Sequence, residues 1–458
     1  MALRKLVSVI LCLMIFTGSV SAAMLGDTDS DGIITVSDAL NALRMAASVV
    51  KADSSADVDG DGEITVSDAL QLLRCSVGFI TPDGLAGQPE LEFKVSEKAA
   101  AAGITQEMVD RGIVSAGDPS KVVNVMRKAQ AGEDITIGFI GGSVTVGGAS
   151  TSKEFSYARL VHDWWEETFP NVKVDYINAG WSGTPSLFAV HRLEQHLMYK
   201  EPDLVVIEFG VNDELMDWQQ EAYASLVRRI LTDDCAPAVL LFFVMNSDRT
   251  SAQDDQVPIG EFYDLPMVSY RDAVWPEVEK GTILWNDIAA DWVHPRNEGH
   301  AICAQLINTY FDGVYAKLSQ LSSEIKPIPE EVPLPYSYEH AVWHNKNNTT
   351  PISLGSFEIS PRYDHSWIHS GDSSDPLVLR FYGKRLIIHV NQAHTDKMHS
   401  SVSIDGGEQI MLSKDNLLIS SGAYGYYMVM DYDVPDWHTV EITRIANDIE
   451  VSGLFASW

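Results

Sequence analysis

Residues 27–44, DTDSDGIITVSDALNALR, return at residues 57–74 as DVDGDGEITVSDALQLLR, with 13 of 18 positions identical at a period of 30. A duplication this close commits both stretches to the same local structure. Oxygen-bearing side chains fall at positions 1, 3, 5, 9 and 12 of each loop: Asp27, Asp29, Asp31, Thr35 and Asp38, then Asp57, Asp59, Asp61, Thr65 and Asp68. Gly32 and Gly62 at position 6 permit a sharp turn, and Ile34 and Ile64 at position 8 lead into a helical stretch. Because Ca2+ takes about 6–8 oxygens, the backbone carbonyls of Ile33 and Glu63 are expected at position 7, with Thr35 and Thr65 acting through water. The spacing predicts two structural Ca2+ sites. Position 12 is Asp38 or Asp68, one methylene shorter than the Glu that usually closes such a loop.

Paired loops ending in Asp, each followed by one helix, resemble type I dockerins, the calcium-dependent plugs that attach enzymes to cohesins of a cellulosome scaffold. The resemblance covers residues 24–82 and implies a small all-α calcium-binding domain whose partner is a cohesin domain of a scaffoldin. It further implies that Val36, Ser37, Leu43 and Arg44, and their counterparts Val66, Ser67, Leu73 and Arg74, face the cohesin. Two near-identical faces imply two docking orientations.

Ahead of the repeat, Arg4 and Lys5 precede an apolar run from Leu6 to Phe16 and the small residues Val20, Ser21 and Ala22. Residues 1–22 are therefore expected to be a secretory signal peptide, and the protein to be secreted and extracellular. The run is shorter than the ~20 residues of a spanning helix, and no second run of that length follows, so no membrane partner is expected. Cys75, Cys235 and Cys303 are an odd set at wide spacing without CxxC, which reads as core thiols rather than a disulfide framework or zinc site. With 32 Lys+Arg against 64 Asp+Glu, the net charge of −32 opposes sequence-independent nucleic-acid binding, which needs basic surface.

After the polar stretch 81–90, short β-rich apolar runs alternate with longer amphipathic segments, the pattern of an α/β fold. Strands are expected at 134–140, 172–178, 203–210 and 238–245, and helices around 153–168, 186–199 and 219–232. Nearly continuous apolar runs suit parallel strands covered on both faces. Ligands bind such sheets beyond the carboxyl ends of the strands.

The first of these strands ends in GGSVTVGG, where Ser143 sits between glycines at the start of a helix. Glycines allow the tight turn, and a helix amino end favours negative charge developing beside the hydroxyl. A nucleotide loop is disfavoured, since GxxxxGK[ST] and GxGxxG are both absent. The next strands end in NAGWSGTPS and GVND, and DWVHPRNEGH lies near the carboxyl end of the region. A serine nucleophile needs a base, the base an orienting carboxylate, and the oxyanion preset donors. These four blocks, in this order over residues 130–322, resemble the SGNH or GDSL-like hydrolases. The resemblance implies a flavodoxin-like three-layer sandwich with a parallel sheet, in a domain spanning 83–322. It also implies that Ser143 is the nucleophile, His294 the general base and Asp291 the group orienting it. The oxyanion donors it implies are the N–H of Ser143, the N–H of Gly183 (chosen over Gly180) and the Asn212 amide. Gly142 departs from the family's usual Asp and removes a carboxylate that often supports the turn. His300 reads as a packed or capping histidine, and Asp213 as a cap for the helix after its strand.

This chemistry is two-step acyl transfer with no catalytic metal. Dockerin-bearing relatives of this kind act on plant cell walls, so the implied substrate is an acetylated plant polysaccharide. A Pro- and Glu-rich linker (323–336) leads to residues 337–458, whose alternating runs and DGG, SSG and DVPD turns suggest an all-β sandwich or jelly roll. Most of its aromatic residues are expected in a core. Two alternatives stay open: a catalytically inactive, scaffold-docked glycan-binding or structural protein, and an SGNH lipase or thioesterase-like esterase.

Overall fold

The computed structural model describes residues 24–59, 62–78, 91–213, 216–369, 371–391, 399–413, 415–421, 424–446 and 449–458. The expected leader, Asp61 and the stretch 81–90 lie outside these residues. The chain divides into two compact units, Met1–Glu90 and Leu91–Trp458.

In the first unit, helices α1 (Val36–Ala46) and α2 (Val66–Ser76) each open with a capping box. The Thr35 hydroxyl accepts from the helix start, while Asp38 accepts from the Thr35 N–H at 2.8 Å. Thr65 and Asp68 repeat this at 2.7 Å. Asp38 also accepts the Thr28 N–H at 2.8 Å, and Asp27 those of Asp31 and Gly32 at 3.0 and 2.9 Å, so the loop winds around its own carboxylates. Gly32 and Gly62 turn at φ +90° and +91°, where other residues would be strained. Ala39, Ala42, Val58, Ala69, Leu72 and Cys75 form the small core.

The second unit begins with a six-stranded sheet: β1 (Ile113–Ser115), β2 (Ile135–Gly141), β3 (Val174–Gly180), β4 (Leu204–Glu208), β5 (Ala238–Phe243) and β6 (Met267–Ser269), in the order β1-β6-β5-β4-β2-β3. All pairs are parallel except β1 with β6. The short strands β1, at the sheet edge, and β6 beside it were not anticipated from sequence; three residues leave no periodicity to read. Alternate side chains of the central strands enter two different cores. Ile137, Val206 and Leu240 join one; Ile140, Ile207 and Leu241 join the other, so both faces are covered.

Seven helices position the site and its support: α3 (Ser143–Val146), α4 (Tyr157–Thr168), α5 (Ser186–His196), α6 (Asp217–Leu231), α7 (Gln253–Phe262), α8 (Trp285–Ile288) and α9 (Asn297–Ala316). Residues 248–265 are largely α7, with Gln253, Gln256 and Ile259 buried. The chain passes from β2 to β3 on one side and then back over β2 to β4, so the order reverses at the end of β2. That reversal opens a crevice at the carboxyl edge.

The closing region is antiparallel. Nine strands, β7 (Ala341–His344), β8 (Phe357–Ile359), β9 (Trp367–His369), β10 (Leu377–Asn391), β11 (His399–Ile404), β12 (Ile410–Met411), β13 (Leu417–Ser421), β14 (Tyr424–Ala446) and β15 (Ile449–Ser457), form one hydrogen-bonded network. The DVPD segment expected as a turn lies inside β14. There β10 pairs Gly383 with Asp436 and Arg385 with Asp431, so residues 432–435 form an irregularity that takes up Pro435, which has no N–H to donate. Trp343 and Trp367 are buried as expected, whereas Trp437 is exposed.

The two sheets of this unit share a core. Phe188 of α5 stacks on Phe455 at 5.3 Å and meets Trp343 edge-on at 5.0 Å. Gln195 donates to the Trp343 carbonyl at 2.9 Å, and Arg229 to the Ala341 carbonyl at 3.1 Å. The connection is pinned as well: Arg228 donates to the Pro329 carbonyl at 2.8 Å. Phe188→Ala is expected to destabilise the unit by about 3–5 kcal/mol, seen as a lower denaturation midpoint at unchanged slope. A change of only about 0.5 kcal/mol, typical of surface substitutions, would show that the junction contributes little.

Candidate active site

Ser143 is the first residue of α3, placed two residues beyond β2 by a turn that only glycine fits. A Cβ on Gly141 would lie 2.1 Å from Thr145 Oγ1 and 2.5 Å from the Glu208 carbonyl oxygen; one on Gly142 would lie 1.9 Å from Asn212 Oδ1. The Gly142 departure noted in sequence thus has a steric reason: the Asn212 amide fills the space a side chain would need. Gly147 closes α3 at φ +93°, and a Cβ on Gly148 would lie 2.8 Å from His294 Cδ2.

The structure brings Ser143, His294 and Asp291 into one line. His294 Nε2 is 2.9 Å from Ser143 Oγ, and His294 Nδ1 is 2.8 Å from Asp291 Oδ2. The carboxylate can only accept, so Nδ1 carries the proton and Nε2 presents its lone pair to the hydroxyl. The other Asp291 oxygen accepts the N–H of Val293 and of His294, both at 2.8 Å. Burial opposes ionisation of Asp291, but hydrogen bonds from His294 and Val293 outweigh it and hold the carboxyl below the ordinary range. The backbone here is fixed from two sides: Trp285 Nε1 donates to the Asp291 carbonyl at 2.7 Å and Ser247 N to the Trp292 carbonyl at 2.8 Å. Ser143 is nearly buried, while the Trp292 side chain beside the pair is 64% exposed.

The other implied residues sit on the loops that follow β3 and β4. Strand pairing levels these ends, with Gly141 opposite both Gly180 and Glu208. Gly183 adopts φ +69° in a tight turn closed by Thr184 Oγ1 donating to the Trp181 carbonyl at 2.7 Å. The Gly180 N–H is already used by Asn178 Oδ1 at 2.9 Å, and Asn178 Nδ2 donates in turn to the Thr145 carbonyl at 2.6 Å. Asn212 follows β4 in a turn where its N–H and that of Asp213 both donate to the Phe209 carbonyl at 3.1 Å.

Asp213 does not cap the helix after its strand. It accepts the N–H of Ser186 at 2.8 Å and so caps α5, which follows β3. α6 instead begins after Met216 without a side-chain cap. His300 is indeed packed and capping: its Nδ1 accepts from Tyr157 N, the first residue of α4, at 3.2 Å, and its Nε2 donates to the Gly148 carbonyl at 3.1 Å. Burial lowers its pKa to about 4, so it stays neutral while holding the glycine turn behind His294. Glu208 was missed in sequence because it reads as the end of an apolar strand.

Burial pushes the carboxyls of Glu208 and Asp213 up to about 8 and about 7, against the hydrogen bonds each accepts. In the unfolded chain such groups ionise near pH 4. The stability they contribute is therefore complete below about pH 4 and is lost as pH rises through about 7 and 8. Asp213→Asn keeps an acceptor for Ser186 but cannot ionise. Its melting temperature is expected to fall less than that of wild type between about pH 5 and 8; superimposable profiles would refute the shift.

Residues 139–302 match the model of the GDSL-like Lipase/Acylhydrolase family. Among solved structures, a two-domain esterase (CEX) active on acetylated mannans, co-crystallised with mannopentaose, aligns at TM-score 0.69 and 28% identity, covering 77% of this chain and 98% of its own. A second structure of a two-domain esterase (CEX) active on acetylated mannans aligns at TM-score 0.67 and 29% identity, covering 76% and 98%. No curated protein matches the chain. The serine turn at the sheet's point of reversal lies within the matched residues, and the α/β domain is similar to GDSL-like hydrolases, as residues 91–458 are in fold to the two-domain esterases.

Proposed function

We propose that this protein is a secreted carbohydrate esterase that removes O-acetyl groups from plant cell-wall polysaccharide, docked to a scaffold through its first unit. The continuous Ser143–His294–Asp291 relay carries the chemistry. His294 Nε2 takes the Ser143 proton as Oγ attacks the ester carbonyl. The tetrahedral oxyanion is met by the N–H groups of Ser143 and Gly183 and the Asn212 amide. Collapse breaks the bond to the sugar oxygen, which leaves with the proton from His294. Water, deprotonated by the same imidazole, then attacks the acetyl-serine; acetate departs and the proton returns to Oγ.

The substrate class is supported by the similar two-domain esterase, which acts on acetylated mannans. Exposed Trp292 supports it too, since an indole face suits stacking on a pyranose ring. Acetate release from acetylated mannan, xylan and pectin tests the reading and names the polymer. Ser143→Ala is expected to lower kcat by at least about a thousandfold. Wild type inert toward every acetyl ester would favour a glycan-binding protein without activity, and preference for long acyl chains a lipase or thioesterase-like enzyme.

The first unit is read as a dockerin holding two Ca2+ ions. Carboxylate oxygens of Asp27, Asp29 and Asp38 lie within 4.8 Å of one another, as do those of Asp57, Asp59 and Asp68, a separation that ligands about 2.4 Å from one hard cation can have. Asp31, Thr35 and Thr65 and the carbonyls of Ile33 and Glu63 would complete these sets. The side chains of Val36, Ser37, Leu43, Arg44, Val66, Ser67, Leu73 and Arg74 are exposed, as a cohesin-facing surface requires. Chelation of calcium is expected to abolish binding to a cohesin and leave aryl acetate hydrolysis largely intact. Equal loss of both would contradict this division of roles.

A further inference from the structure

We propose that Glu208 is a positioning residue of the esterase site, whose carboxyl ties the Gly142–Ser143 turn to the Gly210–Asn212 turn from beneath. The inference rests on the reading of Ser143 as nucleophile. Glu208 closes β4 and is fully buried. Its Oε1 accepts the Gly210 N–H at 3.1 Å, and its Oε2 lies 3.2 Å from Thr145 Oγ1. The Gly142 N–H also favours the ionised form of the same carboxyl. One side chain therefore meets the residue before the nucleophile, α3 behind it, and the loop that carries Asn212.

A carboxyl inside a sheet covered on both faces is costly unless hydrogen bonds compensate it, and the rest of β4 is apolar. A strand needs no acid there; a turn does. Where related chains carry an acid just before the nucleophile, this chain has Gly142, and the Asn212 amide occupies the space above it. Glu208 restores a carboxyl from the opposite side of the peptide.

The arrangement works in either protonation state. When neutral, Oε2–H donates to Thr145 Oγ1, whose own O–H donates to the Tyr157 hydroxyl 2.8 Å away. When ionised, the chain reverses, with Tyr157 donating to Thr145 and Thr145 to Oε2. The Gly210 N–H is accepted in both cases. Tyr157 also opens the helix whose first N–H is capped by His300, and His300 holds Gly148 behind the catalytic imidazole. The carboxyl is thus connected to the serine turn and, through Tyr157 and His300, to the glycine turn behind His294, without touching substrate.

The experiment compares Glu208→Gln, Glu208→Leu and Glu208→Ala with wild type and Ser143→Ala in the full chain. It uses aryl acetate kinetics, the rate of Ser143 labelling by a fluorophosphonate, and melting temperature. Gln keeps the acceptor and donates through Nε2, so kcat is expected within about fivefold of wild type, while Leu and Ala lose about a hundredfold or more at a KM within about threefold. Labelling should fall in parallel. A folded Leu or Ala variant with wild-type kcat would overturn the proposal. So would a folded Gln variant as impaired as Ala, since charge rather than hydrogen bonding would then be at work. Wild type that neither hydrolyses the ester nor reacts with the fluorophosphonate sinks the esterase reading, and this role with it. Wild type active and Ser143→Ala inactive leaves that reading standing, whatever the Glu208 variants do.

Discussion

The close approach of the chain at Gly141 and Gly142 to the end of β4 is the constraint on which the site depends. No Cβ fits at either position, because the Glu208 carbonyl, Thr145 and Asn212 already fill the space. Two consecutive residues without side chains let the backbone leave β2 and enter α3 at once, which lifts Ser143 to the carboxyl edge of the sheet. The same contact levels the ends of β2 and β4, so their loops share one rim. With the hydroxyl set there, a His294 held by its own Asp291 loop needs only one hydrogen bond to complete the relay. A larger residue at 141 or 142 would push the two turns apart, and at 142 it would meet the Asn212 amide directly.

This tight packing forces polar groups into places where water cannot reach them. Glu208 is fully buried and Asp213 partly so, and each accepts a backbone N–H, that of Gly210 at Glu208 and that of Ser186 at Asp213. Their raised pKa values are the electrostatic record of lost hydration. An apolar pair would remove this cost on ionisation but would leave the N–H groups of Gly210 and Ser186 without these acceptors. The chain gives up stability at high pH for loops held at fixed positions, a trade familiar where geometry matters more than burial.

What could be read in the sequence follows from the reach of each signal. The central strands were legible because unbroken apolar runs have one explanation in a covered parallel sheet, and their observed limits fall within a few residues of those expected. The serine, the histidine and the aspartate were legible because each lies in a short block with its own local pattern. Glu208 was not, since its meaning comes from Gly142, distant in sequence. Asp213 was misread for the same reason: a capping side chain looks local, but its helix is α5, which comes before it in the chain. DVPD failed differently. A proline between acids usually ends a strand, yet here the unpaired residues 432–435 give it an irregularity to occupy while β14 continues.

The terminal antiparallel sheet belongs to the same argument, because it supports one of the catalytic loops. Trp181 opens the turn that carries Gly183. Its Nε1 donates to the Tyr424 hydroxyl at 3.2 Å, and its ring meets Trp343 at 5.9 Å and His365 at 5.4 Å, all three from the closing region. From the other side, its N–H donates to the Gly141 carbonyl at 2.9 Å. One residue thus joins the nucleophile strand to the closing domain. Arg192 is buried beside it, its guanidinium 5.8 Å from the Trp181 ring and 5.3 Å from Phe188, so the indole cannot easily change orientation. If Gly183 gives its N–H to the oxyanion as proposed, such clamping helps, since a donor that need not reorient lowers the barrier most. On that proposal the second sheet supports the site, and removing it would loosen Gly183 even if every residue of the relay stayed in place.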